Sequence, residues 1–299
     1  MTKMRQIPKK LARTSATLQK AVFESTVSRQ SRAEWNEVLQ KIHAAKEVLD
    51  VRANEDWWYR GQCTKWSLRP SLYRLLERGF NEIEGNSRSI YELEYDMYFD
   101  FACRAPGMQD SSLSSWDKLA HMRHHGLPTR LLDWTERLGV AIYFAVNGHT
   151  NLKSEPPPIW ILSPCRLNEV VLGDRDLYSP DYLGYDWEAE ESWSYEDYLI
   201  FEGGTFDWDG PAAIYPAQKN LRMRSQLGWF TIFGENTDSL EKQFPPKKYP
   251  KLLQKIEIPP GAIPAAREFL IEAGIDEASV YPDVDGFCRY LKTHYGIPT

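Results

Sequence analysis

The sequence has few cysteines and no long apolar run, and each shortage excludes a class of protein. Its four cysteines are far apart and none forms a CxxC pair, so a structural zinc site is not expected. No stretch of about 18 apolar residues is present, which excludes a membrane span. The basic N-terminus is not followed by the apolar segment of a signal peptide. We therefore expect a cytoplasmic protein with reduced thiols and no membrane partner.

The sequence also lacks the short motifs of several large enzyme classes. Walker A, GxGxxG and GxSxG patterns are absent, so kinase, dehydrogenase and α/β-hydrolase interpretations have no support. His121 and His125 have the i, i+4 spacing of a helical metal pair, but the HExxH pattern and a glutamate between them are missing. We therefore expect no metal.

The composition is that of a globular protein rich in aromatic residues. Of 299 residues, 42% are hydrophobic and 26% are charged, which allows a core to be buried without disulfides. Aromatic residues make up 13%, with 11 Trp and 16 Tyr. Half-buried indoles and phenols suit flat or polar ligands. An aromatic-rich core explains the same composition and is the interpretation that we favour.

The net charge of −6 is unevenly distributed. Residues 1–32 carry eight Lys and Arg against Glu24 alone, a local charge of +7, which leaves −13 on the remainder. We favour a solvated terminus, since the arm has no interleaved aromatics. Otherwise it is the one segment suited to nucleic acid or an acidic partner. We predict a basic N-terminal extension over 1–32 and one domain over 33–299.

Hydrophobic periodicity predicts a mixture of helices and strands. Apolar residues recur at intervals of three and four from Trp35 to Leu49, after a capping-box pair at Ser31 and Glu34, and predict a helix. Strands are predicted at Ile159 to Leu162, Ala213–Tyr215, Gly228–Phe233 and Gln254–Ile258. Because the two types do not alternate regularly, the predicted class is α+β. An irregular acidic insertion at about 173–212 has the length of a functional lid.

The first candidate site segment is a short aromatic strand, Trp58 to Gln62, which contains Arg60 and Gly61. A guanidinium held at a strand end can bind phosphate or carboxylate through two hydrogen bonds. Gly61 would let a ligand approach the backbone closely. The alternative is an ion pair between Arg60 and one of the chain's own carboxylates.

The second segment runs from His124 to Thr135 and is dense in hydrogen-bonding groups between two apolar helices. Polar groups placed there need partners, and Arg130 and Asp133 are candidates to pair with each other. His125 is either a ligand contact and acid–base group or a hydrogen-bonded core residue, and both interpretations stay open. Thr135 is predicted to cap the helix that follows.

The third segment, Arg222 to Phe230, predicts a strand entered through a turn, with Gln226 two residues before Gly228. Its alternative interpretation is a central strand in which glycine permits close packing. No catalytic role follows from this segment alone.

In this order the segments resemble the FRG family, which is named for a Phe/Tyr-Arg-Gly motif that stands here as Tyr59-Arg60-Gly61. Further matching stretches are Trp66 to Arg74, His124 to Thr135, Ala141 to Ala145, Gln226 to Phe230 and Tyr281 to Gly286. The resemblance covers about residues 33–295 and is most specific at HHGxPTRLLDWT.

The arrangement is in turn similar to that of the ADP-ribosyltransferase fold. This similarity implies an α+β domain with a mixed or antiparallel split sheet of six strands flanked by helices, and NAD as substrate. It implies catalytic roles for Arg60, Thr129, Gln226 and Asp133. It implies ligand-binding roles for Tyr59, Gly61, Gln62, His125, Arg130, Trp134, Thr135 and Phe144. Thr135 is an alternative to Thr129 for the catalytic element, and Tyr143 an alternative to Phe144 for the nicotinamide pocket.

Gln226 departs from that pattern, because it stands where the fold carries a catalytic glutamate. Cleavage of NAD passes through an oxocarbenium-like state that a carboxylate stabilises. Either Asp133 or Glu235 substitutes for the glutamate, or the site binds NAD-like ligands without cleaving them.

Three functions follow, in the order in which we rank them. The first is an enzyme that cleaves NAD and transfers ADP-ribose to an unidentified macromolecular acceptor, in a toxin or phage-defence setting. The second is a non-catalytic module that binds a nucleotide or phosphorylated ligand. The third is a nucleic-acid effector that uses the N-terminal arm. A carboxylate within hydrogen-bond reach of Arg60 and Thr129 across one cleft would favour the first over the second.

Overall fold

The computed structural model describes residues 27–64, 66–79, 89–104, 113–147, 155–183, 185–186, 191–206, 208–216 and 221–297. Its helices are α1 (Arg29–Val48), α2 (Arg74–Glu77), α3 (Ile90–Arg104), α4 (Ser115–His124), α5 (Leu138–Val146), α6 (Pro164–Val171), α7 (Tyr195–Phe201), α8 (Leu221–Gln226), α9 (Leu240–Gln243), α10 (Ile263–Glu272), α11 (Glu277–Val280) and α12 (Val284–His294). Its strands are β1 (Trp58–Gly61), β2 (Leu131–Thr135), β3 (Pro158–Leu162), β4 (Tyr185–Asp186), β5 (Glu191–Ser192), β6 (Pro211–Ile214), β7 (Gly228–Phe233) and β8 (Leu253–Glu257). Positions 1–26 of the predicted basic extension lie outside the described residues. No helix within the described ranges has the length and apolar character needed to cross a membrane.

Six strands form one antiparallel sheet in the order β6-β7-β2-β1-β3-β8, and β4 pairs separately with β5. Helices flank this sheet, so the predicted α+β class is confirmed. The strands predicted from apolar runs are also confirmed, as β3, β6, β7 and β8. The Arg222 segment is only partly a strand, because α8 precedes β7 and takes up its first residues.

The junction between β1 and β2 has the least backbone pairing in the six-stranded sheet. Tyr59 and Thr135 form its single register pair, whereas β1 and β3 share four pairs and β2 and β7 share five. The next antiparallel pair would be Arg60 with Trp134, but the pairing does not continue to it. The two halves of the sheet are therefore joined at one point and separate beyond it.

Alternation along the strands divides the core into three groups of side chains. Ile161 of β3 packs with residues of α1, α5 and α10. Ile232 of β7, on the same face of the sheet, packs instead with residues of α4 and α7. Trp134 and Trp160 point to the opposite face, where α6 and α9 cover them. The sheet face that carries Ile161 and Ile232 is thus covered by two separate groups of helices, which meet over the β1–β2 junction.

Helix α1 begins one turn earlier than the capping-box spacing predicts. Ser28 is its N-cap, and the Ser28 hydroxyl accepts from the backbone N–H of Ser31 (3.0 Å). Ser31 lies inside the helix, where its hydroxyl accepts from the N–H of Ala265 (3.2 Å). The predicted cap is therefore wrong, because a tertiary contact uses the Ser31 hydroxyl. The predicted apolar face is confirmed by the buried residues Trp35, Val38, Ile42, Ala45 and Leu49.

The described part of the acidic segment is more regular than predicted. Helix α7 begins at a capping box formed by Ser194 and Asp197. Tyr195 and Tyr198 of this helix are buried against Trp116 of α4. This segment therefore adds to the core on the β6 side of the sheet. Its positions 184, 187–190 and 207 lie outside the described residues.

Candidate functional site

A cavity of about 400 Å³ opens over the β1–β2 junction, between the two helical groups of that face. Its volume lies in the usual range for small-molecule sites, about 300–1,000 Å³. The polar side chains among its lining residues belong to Arg60, Arg123, His124, Asp133, Thr135, Arg222 and Gln226. The lining also includes the aromatic residues Tyr59, Trp134, Phe144, Trp229 and Phe230, of which Trp134 and Trp229 point their rings to the opposite face of the sheet. This combination of guanidinium groups and rings determines what the cavity can bind.

Arg60 bridges the two halves of the sheet where their backbones separate. Its Nη1 donates to the carbonyl oxygen of Asp133 (2.7 Å) and lies 3.5 Å from Asp133 Oδ2. Its Nε is buried and has no hydrogen-bond partner among the described residues. Burial lowers the pKa of Arg60 to about 10, although the charge of Asp133 opposes this shift. Arg60 therefore remains a cation at neutral pH and has donor capacity left for a ligand.

The Asp133 carboxylate is held mainly by Arg123, at the end of α4. Arg123 Nε lies 3.2 Å from Oδ1 and 3.0 Å from Oδ2, and Arg123 Nη2 also donates to Oδ2. Ser71 accepts from Arg123 Nη1 (3.0 Å) and so fixes the other edge of the guanidinium. Burial raises the pKa of Asp133, but the charges of Arg123 and Arg60 outweigh it and lower the pKa to about 2. The side chain remains 43% exposed and faces the cavity as an anion.

Arg222 and His124 are two further polar residues of the cavity lining. Arg222 makes no ion pair with any described carboxylate, and its guanidinium carbon lies 4.2 Å from the ring centre of Tyr281. Burial and the nearby charge of Arg222 lower the pKa of His124 to about 4. His124 is therefore neutral at pH 7 and can accept as well as donate a hydrogen bond.

Gly61 has a structural role that differs from the predicted one. A Cβ at this position would lie 1.7 Å from the carbonyl oxygen of Ala141 and 2.9 Å from the backbone nitrogen of Ala145. Helix α5 makes the close approach to the backbone that a glycine permits. The sequence predicted that a ligand would make this approach. Gly61 still lines the cavity, because α5 forms one of its walls.

Thr135 and Gln226 close the cavity where β2 meets β7. The Thr135 hydroxyl donates to the carbonyl oxygen of Gln226 and accepts from the N–H of Arg137 (3.0 Å). The N-cap of α5 is Arg137, so the prediction that Thr135 caps this helix is wrong by two residues. Gln226 Nε2 donates to the carbonyl oxygen of Val280 (3.0 Å). The chain then turns through Leu227, whose φ of 41° lies in the left-handed region that side chains other than glycine rarely adopt.

The sequence model of the FRG domain matches residues 55–154. This stretch of the chain is similar to the FRG domain. The match includes β1, β2 and α5, and therefore Arg60, Asp133 and Phe144 of the cavity. Arg222 and Gln226 lie beyond it. No curated protein matches the chain, and no solved structure matches it either.

Eight of the twelve predicted site residues line the cavity, namely Tyr59, Arg60, Gly61, Asp133, Trp134, Thr135, Phe144 and Gln226. Four predicted residues lie elsewhere. Gln62 is buried, and its Oε1 accepts from Trp160 Nε1 (3.3 Å). His125 is exposed at the C-terminal end of α4. Thr129 is fully buried, and its hydroxyl accepts from the N–H of Leu131 (3.4 Å).

Arg130 is the fourth predicted residue outside the cavity, and its predicted pairing with Asp133 is wrong. Its partner is Glu94, which accepts from Arg130 Nε through Oε1 (2.9 Å) and Oε2 (3.0 Å). The pair is almost fully buried, at 0% and 1% exposure of the side chains. Residues three positions apart in an extended chain point to opposite sides, so Arg130 and Asp133 cannot face each other. Phe206 of the acidic segment stacks on the Arg130 guanidinium at 4.7 Å.

The alternatives considered for the catalytic positions are also placed by the structure. Glu235 and Tyr143 do not line the cavity. Among the described residues, no carboxylate contacts both Arg60 and Thr129, and Thr129 does not line the cavity. Asp133 meets half of that condition through its contacts with Arg60. None of the described residues at 173–212 lines the cavity, so that part of the segment does not cover it.

The sequence interpretation missed Arg123, His124 and Arg222 as cavity residues. Arg123 and His124 precede His125 and lie in the last turn of α4. The orientation of this helix determines which of its side chains reach the cavity. From the sequence alone, Arg222 belongs only to a predicted strand segment. Its helical position in α8 depends on contacts with the distant residues Val280 and Tyr281.

Proposed function

We propose that the cavity binds a nucleotide, with phosphate groups at the arginines and a base or nicotinamide ring against the aromatic wall. The observation that carries the proposal is the presence of three arginines, Arg60, Arg123 and Arg222, with Asp133 as the one carboxylate among the described lining residues. Arginine forks bind phosphate oxygens through paired hydrogen bonds. A bound phosphate would neutralise the positive charge that the three arginines carry in excess of the negative charge of Asp133.

The aromatic wall supports a ligand that carries a planar ring as well as a phosphate. Phe144 is only half-buried and lines the cavity, and the lining residues Tyr59 and Phe230 point to the same face of the sheet as the cavity. Planar heterocycles stack on such rings, and each stacked base contributes about 1–3 kcal/mol in single-stranded nucleic-acid complexes. An inorganic anion would use the arginines but would leave this wall unoccupied.

ADP-ribosyl transfer from NAD is the second candidate function, in which this cavity would act as an active site. Arg60 on β1, Thr135 on β2 and Gln226 before β7 face one cavity over a sheet whose halves are joined by a single register pair. These positions agree with the roles that the ADP-ribosyltransferase resemblance implies. In this reaction the bond between nicotinamide and ribose breaks, nicotinamide leaves with the bonding electrons, and a nucleophile of a macromolecular acceptor attacks C1 of the ribose and loses its proton.

The state of Asp133 makes us rank binding above turnover. An oxocarbenium-like ribose needs a carboxylate that is free to face it. Asp133 already accepts hydrogen bonds from Arg123 and contacts Arg60, which offsets most of its charge. Ligand binding would have to break or rearrange these contacts before Asp133 could stabilise a developing cation.

A thermal-shift panel tests the binding proposal. NAD, ADP-ribose, AMP and adenosine all contain adenosine, but NAD and ADP-ribose carry two phosphate groups, AMP carries one and adenosine carries none. A ligand that binds only the folded state raises the unfolding temperature according to its concentration over Kd. We expect the first three compounds to raise it and adenosine to have the smallest effect. Equal shifts for AMP and adenosine, or no shift with any compound, would contradict the proposal.

Release of nicotinamide tests the second candidate. The purified protein is incubated with NAD, with and without cell lysate as a source of acceptor, beside Arg60→Ala and a heat-denatured control. Release by wild type that is lost in a folded Arg60→Ala variant would support ADP-ribosyl transfer and NAD as the substrate. NAD binding without release under both conditions would leave the binding function and reject the transferase.

A further inference from the structure

Arg222 is held in the cavity differently from the other two arginines. Arg60 and Arg123 are fixed by Asp133, whereas Arg222 has no such carboxylate among the described residues. The aromatic ring of Tyr281 supports it instead, with 4.2 Å between the guanidinium carbon and the ring centre. A cation over an aromatic face is attracted without being neutralised. Arg222 therefore keeps its full charge available for an anion.

The segment that carries Tyr281 also holds other parts of α8. The carbonyl oxygen of Val280 accepts from Gln226 Nε2 (3.0 Å) and from the hydroxyl of Ser225 (3.2 Å). Residues 280 and 281 thus contact the first and last turns of a helix that has six residues. A helix this short has little stability of its own, so its position depends on these tertiary contacts.

Tyr281 is itself fixed from two further directions. Its ring lies 6.2 Å from that of Phe144, which lines the cavity, and 4.7 Å from the guanidinium carbon of Arg289 in α12. A Cβ at Gly286 would lie 1.9 Å from the Tyr281 carbonyl oxygen, so α12 packs directly on the Tyr281 backbone. The orientation of Tyr281 is therefore determined by the packing of the C-terminal segment.

We propose that Tyr281 is a positioning residue that holds Arg222 in the cavity to bind the anionic group of the ligand. The C-terminal segment, which lies outside the residues matched by the FRG model, would then complete the site and set its preference for phosphate-bearing compounds. The position of Arg222 is a property of the free protein. The phosphate preference rests on the proposed function, so the two parts are tested separately.

The first test follows the titration of His124 by NMR in the absence of ligand. Arg222 is one of the charges that hold the pKa of His124 down after burial, together with His125 and His121, while Asp283 acts in the opposite direction. The resonance is assigned by comparison with His124→Gln. Tyr281→Leu removes the aromatic face, Tyr281→Phe retains it, and Tyr290→Leu is a matched control for an aromatic residue of α12.

We expect the His124 midpoint to rise in Tyr281→Leu by the same amount as in Arg222→Ala, and to remain at its wild-type value in Tyr281→Phe and Tyr290→Leu. In the Arg222→Ala background, Tyr281→Leu should cause no further change, since the two substitutions remove the same effect. An unchanged midpoint in Tyr281→Leu would overturn the proposal. Additive changes in the double variant would also overturn it, because they would indicate a general loosening of the segment.

The second test measures ligand preference by calorimetry with nicotinamide mononucleotide and nicotinamide riboside, which differ by one phosphate group. Wild type should bind the phosphorylated compound more tightly, and Tyr281→Leu should weaken its binding by about tenfold, equivalent to one charge-assisted hydrogen bond. Binding of the riboside should not change. If wild type binds neither compound and also does not bind NAD, the proposed function fails, and the NMR result still decides the role of Tyr281. If binding of both compounds weakens equally, the specificity role of Tyr281 is rejected.

Discussion

The guanidinium of Arg60 donates to the backbone carbonyl of Asp133 (2.7 Å) at the place where the backbones of β1 and β2 cease to pair. A side chain here supplies a hydrogen bond between neighbouring strands that the backbone does not make. Arg60 therefore both joins the two halves of the sheet and presents a cation to the cavity between them. Substitutions of Arg60 will consequently affect stability and ligand binding together.

Arg60→Ala should lower the free energy of unfolding by about 1–3 kcal/mol, because it leaves the Asp133 carbonyl without this donor. Arg222→Ala, which removes no hydrogen bond to the backbone, should cost less than about 0.5 kcal/mol. Urea denaturation followed by circular dichroism measures both. Equal stability of the two variants would show that the bridge contributes nothing to the sheet. This stability check must accompany any activity assay of Arg60→Ala.

The lowered pKa of Asp133 predicts a loss of stability in acid. Its pKa falls from 3.8 to about 2 on folding, so the stabilisation is present above the unfolded value and disappears as the pH falls towards 2. The side chain is 43% exposed, and solvent screening limits the effect to about 1 kcal/mol. Wild type should therefore lose more stability than Asp133→Asn between about pH 5 and pH 2. Parallel pH profiles for the two proteins would contradict this account.

Gly61→Ala should be among the more damaging single substitutions in the chain. The new Cβ would meet the backbone of α5, which cannot move aside as a side chain can. We expect a loss of about 3 kcal/mol or more, at the upper end of overpacking effects. Gly139→Ala is the matched control, because its Cβ would meet only the flexible end of Ile275 and alanine favours a helix. Similar stabilities in urea for both variants would refute the packing argument.

The buried pair between Arg130 and Glu94 predicts a large effect from removal of one charge. Glu94→Gln leaves a fully buried guanidinium without its counterion and should cost about 3–5 kcal/mol. Asp238→Ala, which removes the exposed partner of Lys242, should cost less than about 0.5 kcal/mol. Thermal unfolding of both variants measures the contrast. A small loss for Glu94→Gln would mean that the pair is not required by the core.

Local sequence patterns predicted the strands well, because apolar runs of four to six residues bounded by Pro and Gly are read without tertiary information. β3 and β7 follow directly from such runs. The helix α8 was missed because its six residues have no apolar periodicity and depend on Val280 and Tyr281, more than 50 positions later. A segment whose structure is imposed by distant contacts gives no local signal.

The sequence predicted the residues at the centre of the candidate site and missed residues at its edge. Arg60 and Asp133 stand in conspicuous motifs, and the structure brings both to the cavity. Arg130 stands in the same motif and faces the core instead, since strand direction and the burial of Glu94 decide its environment. The partner of a charged residue is a tertiary property, and motif composition does not determine it.

Calorimetric titration of NAD into wild type, Arg222→Ala and Arg224→Ala tests the central claim most directly. Arg222 lines the cavity, while Arg224 lies two residues away on the same helix, is exposed and does not line it. The account predicts binding by wild type, unchanged affinity in Arg224→Ala, and a loss of about tenfold or more in Arg222→Ala. Absence of binding by wild type, or an equal loss in both variants, would contradict the claim that this cavity binds a nucleotide.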